Sequence, residues 1–568
     1  MRRGLYLLSV LLSGSGLLAQ QDYTGRVGIN TNTPDASLEV SRHDGMLKKD
    51  ETYAQGVSFP NLSTTQREKF QDVKVGTMIF NTTKQCLEMY YGLKAGNPHW
   101  DCLPKSGDGA SITPQKQAIA VVPVAFEGEY IGGIPFNASN KVKFELQNNG
   151  LFPIEQANLS DAVKLTNAGA SISLKGGENT SVSLNPGGRA TLSYTLEGTP
   201  VPGTLVASFD KFGIKTEQKT SVSLGSATIA NKEHYVVSMY YQPTNTNIEG
   251  KINNTDNKVT IKIPYTGGKG SYNAVNINNI RTAPGQGGDV NDLSLSIPAG
   301  TFEGKGELVA TITVSGNDQE YLVKQMEPGK SYDIATFSID MDGMRYNVVL
   351  KGIGGILDKK FGVRTNGKLE HQFVYIPITG PDGKTWLNNN LGADYANMNS
   401  EYFNPLQQAI SKTDYKAYGS LFQWGRDADG HELINWTSSG SGSSLYPWYR
   451  HGGGYEEFYE NDPCPEGYHT PTKSEWEHLL GVMRGYGFSN SNMWNEDVLK
   501  LPAAGNRENY YGSFDEMGRI GFYWSSILDY DYRRTYNFDA WQLIFSSRSA
   551  NMITKDRKSG SSVRCLKD

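Results

Sequence analysis

Four stretches in the middle of the chain alternate apolar and polar residues with a period of two. Val142, Phe144 and Leu146 interleave with Lys141, Lys143 and Glu145. Leu192, Tyr194 and Leu196 interleave with Thr191, Ser193 and Thr195. Val259, Ile261 and Ile263 stand among Lys258, Thr260 and Lys262, and Ala310, Ile312 and Val314 among Val309, Thr311 and Thr313. Successive side chains of a strand point to opposite faces, so each stretch predicts a strand buried on one side. Gly, Asn and Pro bound them, and no segment of helical period interrupts the region from about 112 to 360. The stretch SLNPGGRATLSYTLEG, from Ser183, lines up with SIPAGTFEGKGELVATITVSG, from Ser296. That weak repeat divides the region into two β-sandwich units, 112–228 and 229–360.

Helical signals are few. Thr472 and Glu475 form a T-x-x-E capping box after Pro471; Trp476, Leu479, Leu480 and Met483 follow at helical spacing, and Gly485 ends the pattern. Ser63 and Gln66 offer a second capping box, and VGTMIFNTTKQCLEMYYG, from Val75, reads as strand. Residues 1–19 have a basic start at Arg2 and Arg3, an apolar stretch Leu5–Leu12 and a small-residue end from Gly14 to Ala19. These are the parts of a secretory signal, with cleavage expected near Ala19 or Gln20. No cysteine precedes Cys86, which excludes a lipid-modified N-terminal cysteine, and no later window reaches 18 apolar residues.

At 568 residues the chain is long enough for about four units. Lys and Arg number 54 against 59 Asp and Glu, without any like-charged run, which argues against a nucleic-acid arm or a polybasic membrane patch. Four cysteines in an exported chain predict two disulfides, Cys86–Cys102 and Cys464–Cys565, each kept inside one domain; four free buried thiols are the alternative. No CxxC or HxxxH spacing suggests zinc.

Composition shifts at about residue 361: eight of the nine tryptophans and 17 of the 32 tyrosines lie beyond it. Trp436, Trp448, Tyr449, Tyr510, Tyr511, Tyr530 and Tyr532 fall in Gly-, Ser- and Tyr-rich loops and are the candidate ligand-binding residues. Exposed rings stack on sugars or anchor protein partners; the competing reading is that they cover a thin core. Asp427, Asp429 and Glu432 in RDADGHE are candidate calcium ligands without EF-hand spacing, or else solvated carboxylates on an exposed turn. No other cofactor is indicated. His431, His451, His469 and His478 form no catalytic order, and no GxSxG elbow supports a serine nucleophile.

Three resemblances add to this reading. The segment GRVGINTNTPDASLEV, followed by LSTTQR and by the MIFNTTKQC…EMYYG…W hairpin, resembles an N-terminal module of secreted Bacteroidetes proteins, here 20–111. It implies a surface or appendage protein. The two sandwich units read as immunoglobulin-like, and PYTGGKGSY, Pro264 to Tyr272, resembles a motif of Bacteroidetes surface β-repeats. In 361–568, TWLNNNLG, YGSLFQWGRDADGHE, DPCPEGYHTPTKSEWEHLL, LKLPAAGNRE, GFYWSSI and SSVRCLKD stand in the order of the Fibrobacter succinogenes major paralogous domain. That resemblance implies an α+β C-type-lectin-like fold, distantly similar to the formylglycine-generating and sulfatase-modifying family. The GGSW-like element associated with cysteine chemistry there is absent, so no catalytic residue is assigned. Trp424, Trp476 and Trp524 lie inside the motifs and are expected in the core.

The expected whole is a mainly β multidomain protein, secreted or exposed outside the outer membrane. Its lectin-like head would recognise a glycan or surface protein non-covalently, as an adhesin does. The alternative is a structural subunit of a fimbria-like or fibrous assembly, joined to other surface subunits. Neither nucleic acid nor a membrane span is expected.

Overall fold

The computed structural model describes residues 20–21, 27–29, 37–40, 57–94, 96–103, 119–150, 153–178, 180–316, 319–364, 367–446, 448, 461–485, 493, 498–529 and 539–568. The chain forms two units, Met1–Thr113 and Pro114–Asp568, and is mainly β. The expected signal segment lies outside the described residues. Among these residues no helix is long and apolar enough to cross a membrane.

The first unit is built on a four-stranded sheet in the order Asn61–Leu62, Met78–Asn81, Cys86–Lys94, Asn97–Cys102. A short helix, Thr64–Arg67, opens with the expected capping box: Ser63 Oγ accepts from Gln66 N–H, and the Gln66 side chain accepts from Ser63 N–H. One sheet face buries Ile79, Tyr90 and Trp100 against Leu62 and Val73. Beside them lies a buried carboxylate, Glu88, held by Asn81 Nδ2 and Lys84 Nζ at 2.7 Å and Arg67 Nε at 3.2 Å. Burial alone would raise the Glu88 pKa; the hydrogen bonds and charges around it outweigh that and lower it.

In the second unit the alternating stretches bury the faces expected of them. Val142, Phe144, Leu146, Leu192, Tyr194 and Leu196 face Leu205, Ala207 and Phe209 across one core. This core lies between a four-stranded sheet that includes Lys141–Asn148 and Arg189–Thr199 and a three-stranded sheet that includes Gly203–Lys211. A second core contains Ile261, Ile263, Ala310, Ile312 and Val314, packed on Phe337, Val348 and Leu350. The two stretches aligned as a repeat take different pairings. Ser181–Leu184 pairs with Ile154–Asn158 and leaves Arg189–Thr199 to other partners, whereas Asp292–Ile297 forms a hairpin with Gly300–Ser315. The resemblance there is local, carried by a Gly-containing turn between strands.

PYTGGKGSY lies at the joint between these two cores. Gly225 N–H donates to Ser271 O, Ser271 N–H to Gly132 O, and Gly132 N–H to Ser223 O. Gly270 adopts φ +81°, and a Cβ there would stand 2.3 Å from Ile131 Cγ2. The backbones touch because the motif lacks side chains at that point. Lys269 pairs with Glu129 across the same joint.

The last part of the chain has short strands around one 13-residue helix, Lys473–Gly485. Glu475 Oε2 accepts from Thr472 N–H at 2.9 Å and Thr472 Oγ1 accepts from Glu475 N–H at 3.2 Å, the expected cap. Trp386, Trp424, Trp476 and Trp524 are at most 1% exposed. Each indole N–H has an acceptor: Asp382, Ser525 O, Trp524 O and Phe422 O respectively. The asparagines of TWLNNNLG are buried too. Asn388 donates to Pro405 O, Asn389 to Gln407 O and Asn390 to Tyr418 O, while Asn390 Oδ1 accepts from the buried Arg564 guanidinium. Both disulfides form with the expected pairing, Cys86–Cys102 and Cys464–Cys565, so free thiols are excluded.

Candidate functional site

The RDADGHE segment follows the strand Phe422–Gln423 and turns inward. Glu432 is fully buried; its Oε1 lies 2.7 Å from His371 Nε2, and its Oε2 accepts from Gly430 N–H at 3.0 Å. Gln423 N–H donates to His431 Nε2 at 3.2 Å, so that nitrogen presents its lone pair and Nδ1 carries the proton. His431 Nδ1 lies 2.7 Å from Asp429 Oδ1 and 3.1 Å from Glu432 Oε2. Arg426 holds the other Asp429 oxygen at 2.7 Å. Burial would raise the Glu432 pKa, but the hydrogen bonds from His371 and His431 bring it down to about 2. Burial would likewise lower His371, yet its bond to Glu432 leaves it above its ordinary value. Asp358, buried nearby, is pushed up to about 6, chiefly by desolvation.

Of the three expected calcium ligands, the structure brings two together. Asp427 pairs with Lys360 at 2.7 Å and does not join Asp429 and Glu432. Of the latter two, Glu432 is no solvated carboxylate, since it has no exposed surface, whereas Asp429 is exposed. Asp429, His431 and Glu432 do bring ligand atoms within 4.8 Å of one another. The group offers a nitrogen beside its two carboxylates, whereas calcium takes six to eight oxygens. In this structure hydrogen bonds and ion pairs hold the cluster together.

Above it lie some of the candidate rings. Trp448 is half-buried, with the Arg507 guanidinium 4.0 Å from its ring centroid and Gly512 and Gly560 against the indole. Arg507 donates to Gly512 O and to His431 O, both at 3.0 Å, and burial brings its pKa down to about 10. Trp448 Nε1 has no partner among the described residues. Trp436 is half-buried, donates to Gly419 O at 2.7 Å, and packs on Tyr418 and Phe514. Trp436 and Trp448 are therefore braces of the loop rather than free rings on it, because Arg507 and Phe514 reach them from a distant segment. Tyr510 and Tyr511 are exposed, 44% and 82%, and meet edge to face at 4.5 Å. Glu508 Oε2 accepts from both of their backbone N–H groups, which fixes the loop that carries them. Tyr449, Tyr530 and Tyr532 lie outside the described residues.

Sequence reasoning missed His371, Asp358 and Arg507. Arg507 stands in the quoted GNRE motif, and its charge within a run of small and apolar residues was the available signal. A cleft of about 630 Å³ also opens between loops around Tyr241 and the segment from Ile356 to Phe361, with Tyr468 and His469 on its wall. Trp436, Trp448, Tyr510 and Tyr511 do not line it.

One comparison bears on the first unit. Residues 28–111 match the family described as a phage tail like trimerisation region. The matched span contains the whole four-stranded sheet and the Cys86–Cys102 bridge. No curated protein matches the chain.

Proposed function

We propose that the chain is a subunit of a self-assembling surface structure, three copies joined through residues 28–111. The remainder presents two immunoglobulin-like units and a C-type-lectin-like head of the Fibrobacter succinogenes major paralogous type. The match to a trimerisation region carries this reading. The disulfides support an oxidising, extracellular setting. The role in this reading is structural, and the bridge between the two cysteines of the head leaves no free thiol there for cysteine chemistry. The test is negative-stain microscopy and sedimentation of native material sheared from cells. Particles with three heads and three times the chain mass are expected; single chains retained inside the cell would contradict the reading.

A second role, capture of a glycan or surface protein by the head, is favoured by the exposure of Tyr510 and Tyr511 on a braced loop. Loops on rigid scaffolds are where such specificity resides. Binding of the full chain to a glycan array or to cells, lost in Tyr510→Ala/Tyr511→Ala, would support it. Unchanged binding in that variant would remove the rim from consideration.

A further inference from the structure

The four-stranded sheet of the first unit has two apolar faces, and its buried core occupies one of them. Ile79, Tyr90 and Trp100 point to the side of the short helix, with Leu62 and Val73 against them. The opposite parity carries Met78, Phe80, Leu87, Met89 and Tyr91. The register places these side chains together: Met78 lies opposite Met89 and Phe80 opposite Leu87. Tyr91 sits at the irregularity between the Tyr90–Trp100 and Gly92–His99 pairs, with its ring 5.8 Å from that of His99.

None of the five belongs to the buried core of the unit. Phe80 is 38% and Tyr91 47% exposed, and the other three are half-buried. Asn61, opposite Phe80, and Asp101, opposite Met89, put polar groups at the two margins of the stripe. An apolar centre with a polar rim is the make-up of a protein interface, and a sheet with one face in water commonly keeps that face polar.

We infer that this stripe, centred on Phe80, Leu87 and Met89, is the seam through which three copies of the chain meet. The occupant is two further copies, because the sheet lies wholly inside the segment that matches a trimerisation region. Three sheets turning this face to a common axis close a core, and a threefold ring closes without leaving a face to propagate. The Cys86–Cys102 bridge ties the strand that carries Leu87, Met89 and Tyr91 to its neighbour Asn97–Cys102, on the margin of the seam. This assignment rests on the self-assembling reading proposed above.

The test is the sedimentation mass of the full secreted chain at micromolar concentration, for wild type, Phe80→Asp and Leu93→Asp. Leu93 is 69% exposed and lines a groove with Arg67, Phe70 and Trp100 on the helix side of the sheet. Wild type and Leu93→Asp should sediment at three times the chain mass, and Phe80→Asp at one third of that, with the Cys86–Cys102 bridge intact. A threefold mass for folded Phe80→Asp, or dissociation by Leu93→Asp alone, overturns the seam and leaves the self-assembling reading standing. Wild type that sediments as a single chain defeats that reading and the seam together. If Phe80→Asp fails to form its bridge, a benzophenone photocrosslinker in place of Tyr91 decides. A ladder ending at three chains supports the seam, and the absence of crosslinks between chains overturns it.

Discussion

The head and the N-terminal sheet both enclose tryptophan and one disulfide, but they handle apolar surface differently. The head buries four tryptophans completely and gives each indole N–H an acceptor. Buried asparagines and Arg564 join its loops from within. The N-terminal sheet buries three large residues around one ion cluster and leaves a second apolar face outward. A region that satisfies its own core has little need of a partner, whereas one that holds apolar surface in reserve is suited to meet other copies. The comparison is what the proposed division into an assembling and a presenting part rests on.

The largest effect should come from opening the head. Cys464→Ser removes a bridge with a sequence separation of 101 residues. A loss of about 4–5 kcal/mol is expected on the chain-entropy account. Urea unfolding followed by tryptophan fluorescence reads it well, because eight of nine tryptophans lie in this part. Trimer mass should be unchanged below the transition.

Glu432→Ala should cost about 3–5 kcal/mol, since it strands His371 and His431 in the interior. The same ion pair predicts a stability maximum. Glu432 is lowered to about 2, so its contribution is present above the ordinary value near 4.3 and fades as pH falls towards 2. His371 is raised, so its contribution is full below about 6.5 and fades as pH rises through its folded value. The head should therefore be most stable between roughly pH 4.5 and 6.5. Thermal unfolding across pH, with the optimum lost in Glu432→Ala, checks this. Stability that keeps rising above pH 7 would contradict it.

Cys86→Ser opens a bridge with a separation of 16 residues, a loss of about 3 kcal/mol. That is smaller than for the head bridge, yet it falls on a far smaller core. Self-association should be lost while the head's unfolding transition stays in place. The smallest change is Tyr511→Ala. At 82% exposure it should move stability by no more than about 0.5 kcal/mol, and any loss of cell or glycan binding would then belong to recognition.

What could be read in the sequence was local. Period-two alternation marked Val142–Leu146 and Ile261–Ile263 because a strand reports its buried face within five residues. Both capping boxes were visible because their partners stand three residues apart. The contacts that define the head join distant segments and leave no local trace. Glu432 meets His371 across 61 residues, and Trp448 meets Arg507 across a loop boundary. TWLNNNLG reads as a polar loop, but its amides are buried because each finds a main-chain carbonyl elsewhere. Turn chemistry aligned Ser183 with Ser296, whereas strand pairing separates them. The outward apolar stripe was present in MIFN and CLEMYY as apolar residues of both parities, a pattern that shows two apolar faces only once the register is known.

The most direct measurement of the proposed division between assembling and presenting parts is oxidative footprinting of methionines in the intact chain at micromolar concentration. Met78 and Met89 should resist conversion to the sulfoxide in wild type and become reactive in Phe80→Asp. Met398, 38% exposed in the head, should oxidise alike in both. Rapid oxidation of Met78 and Met89 in wild type would show that no partner covers the stripe.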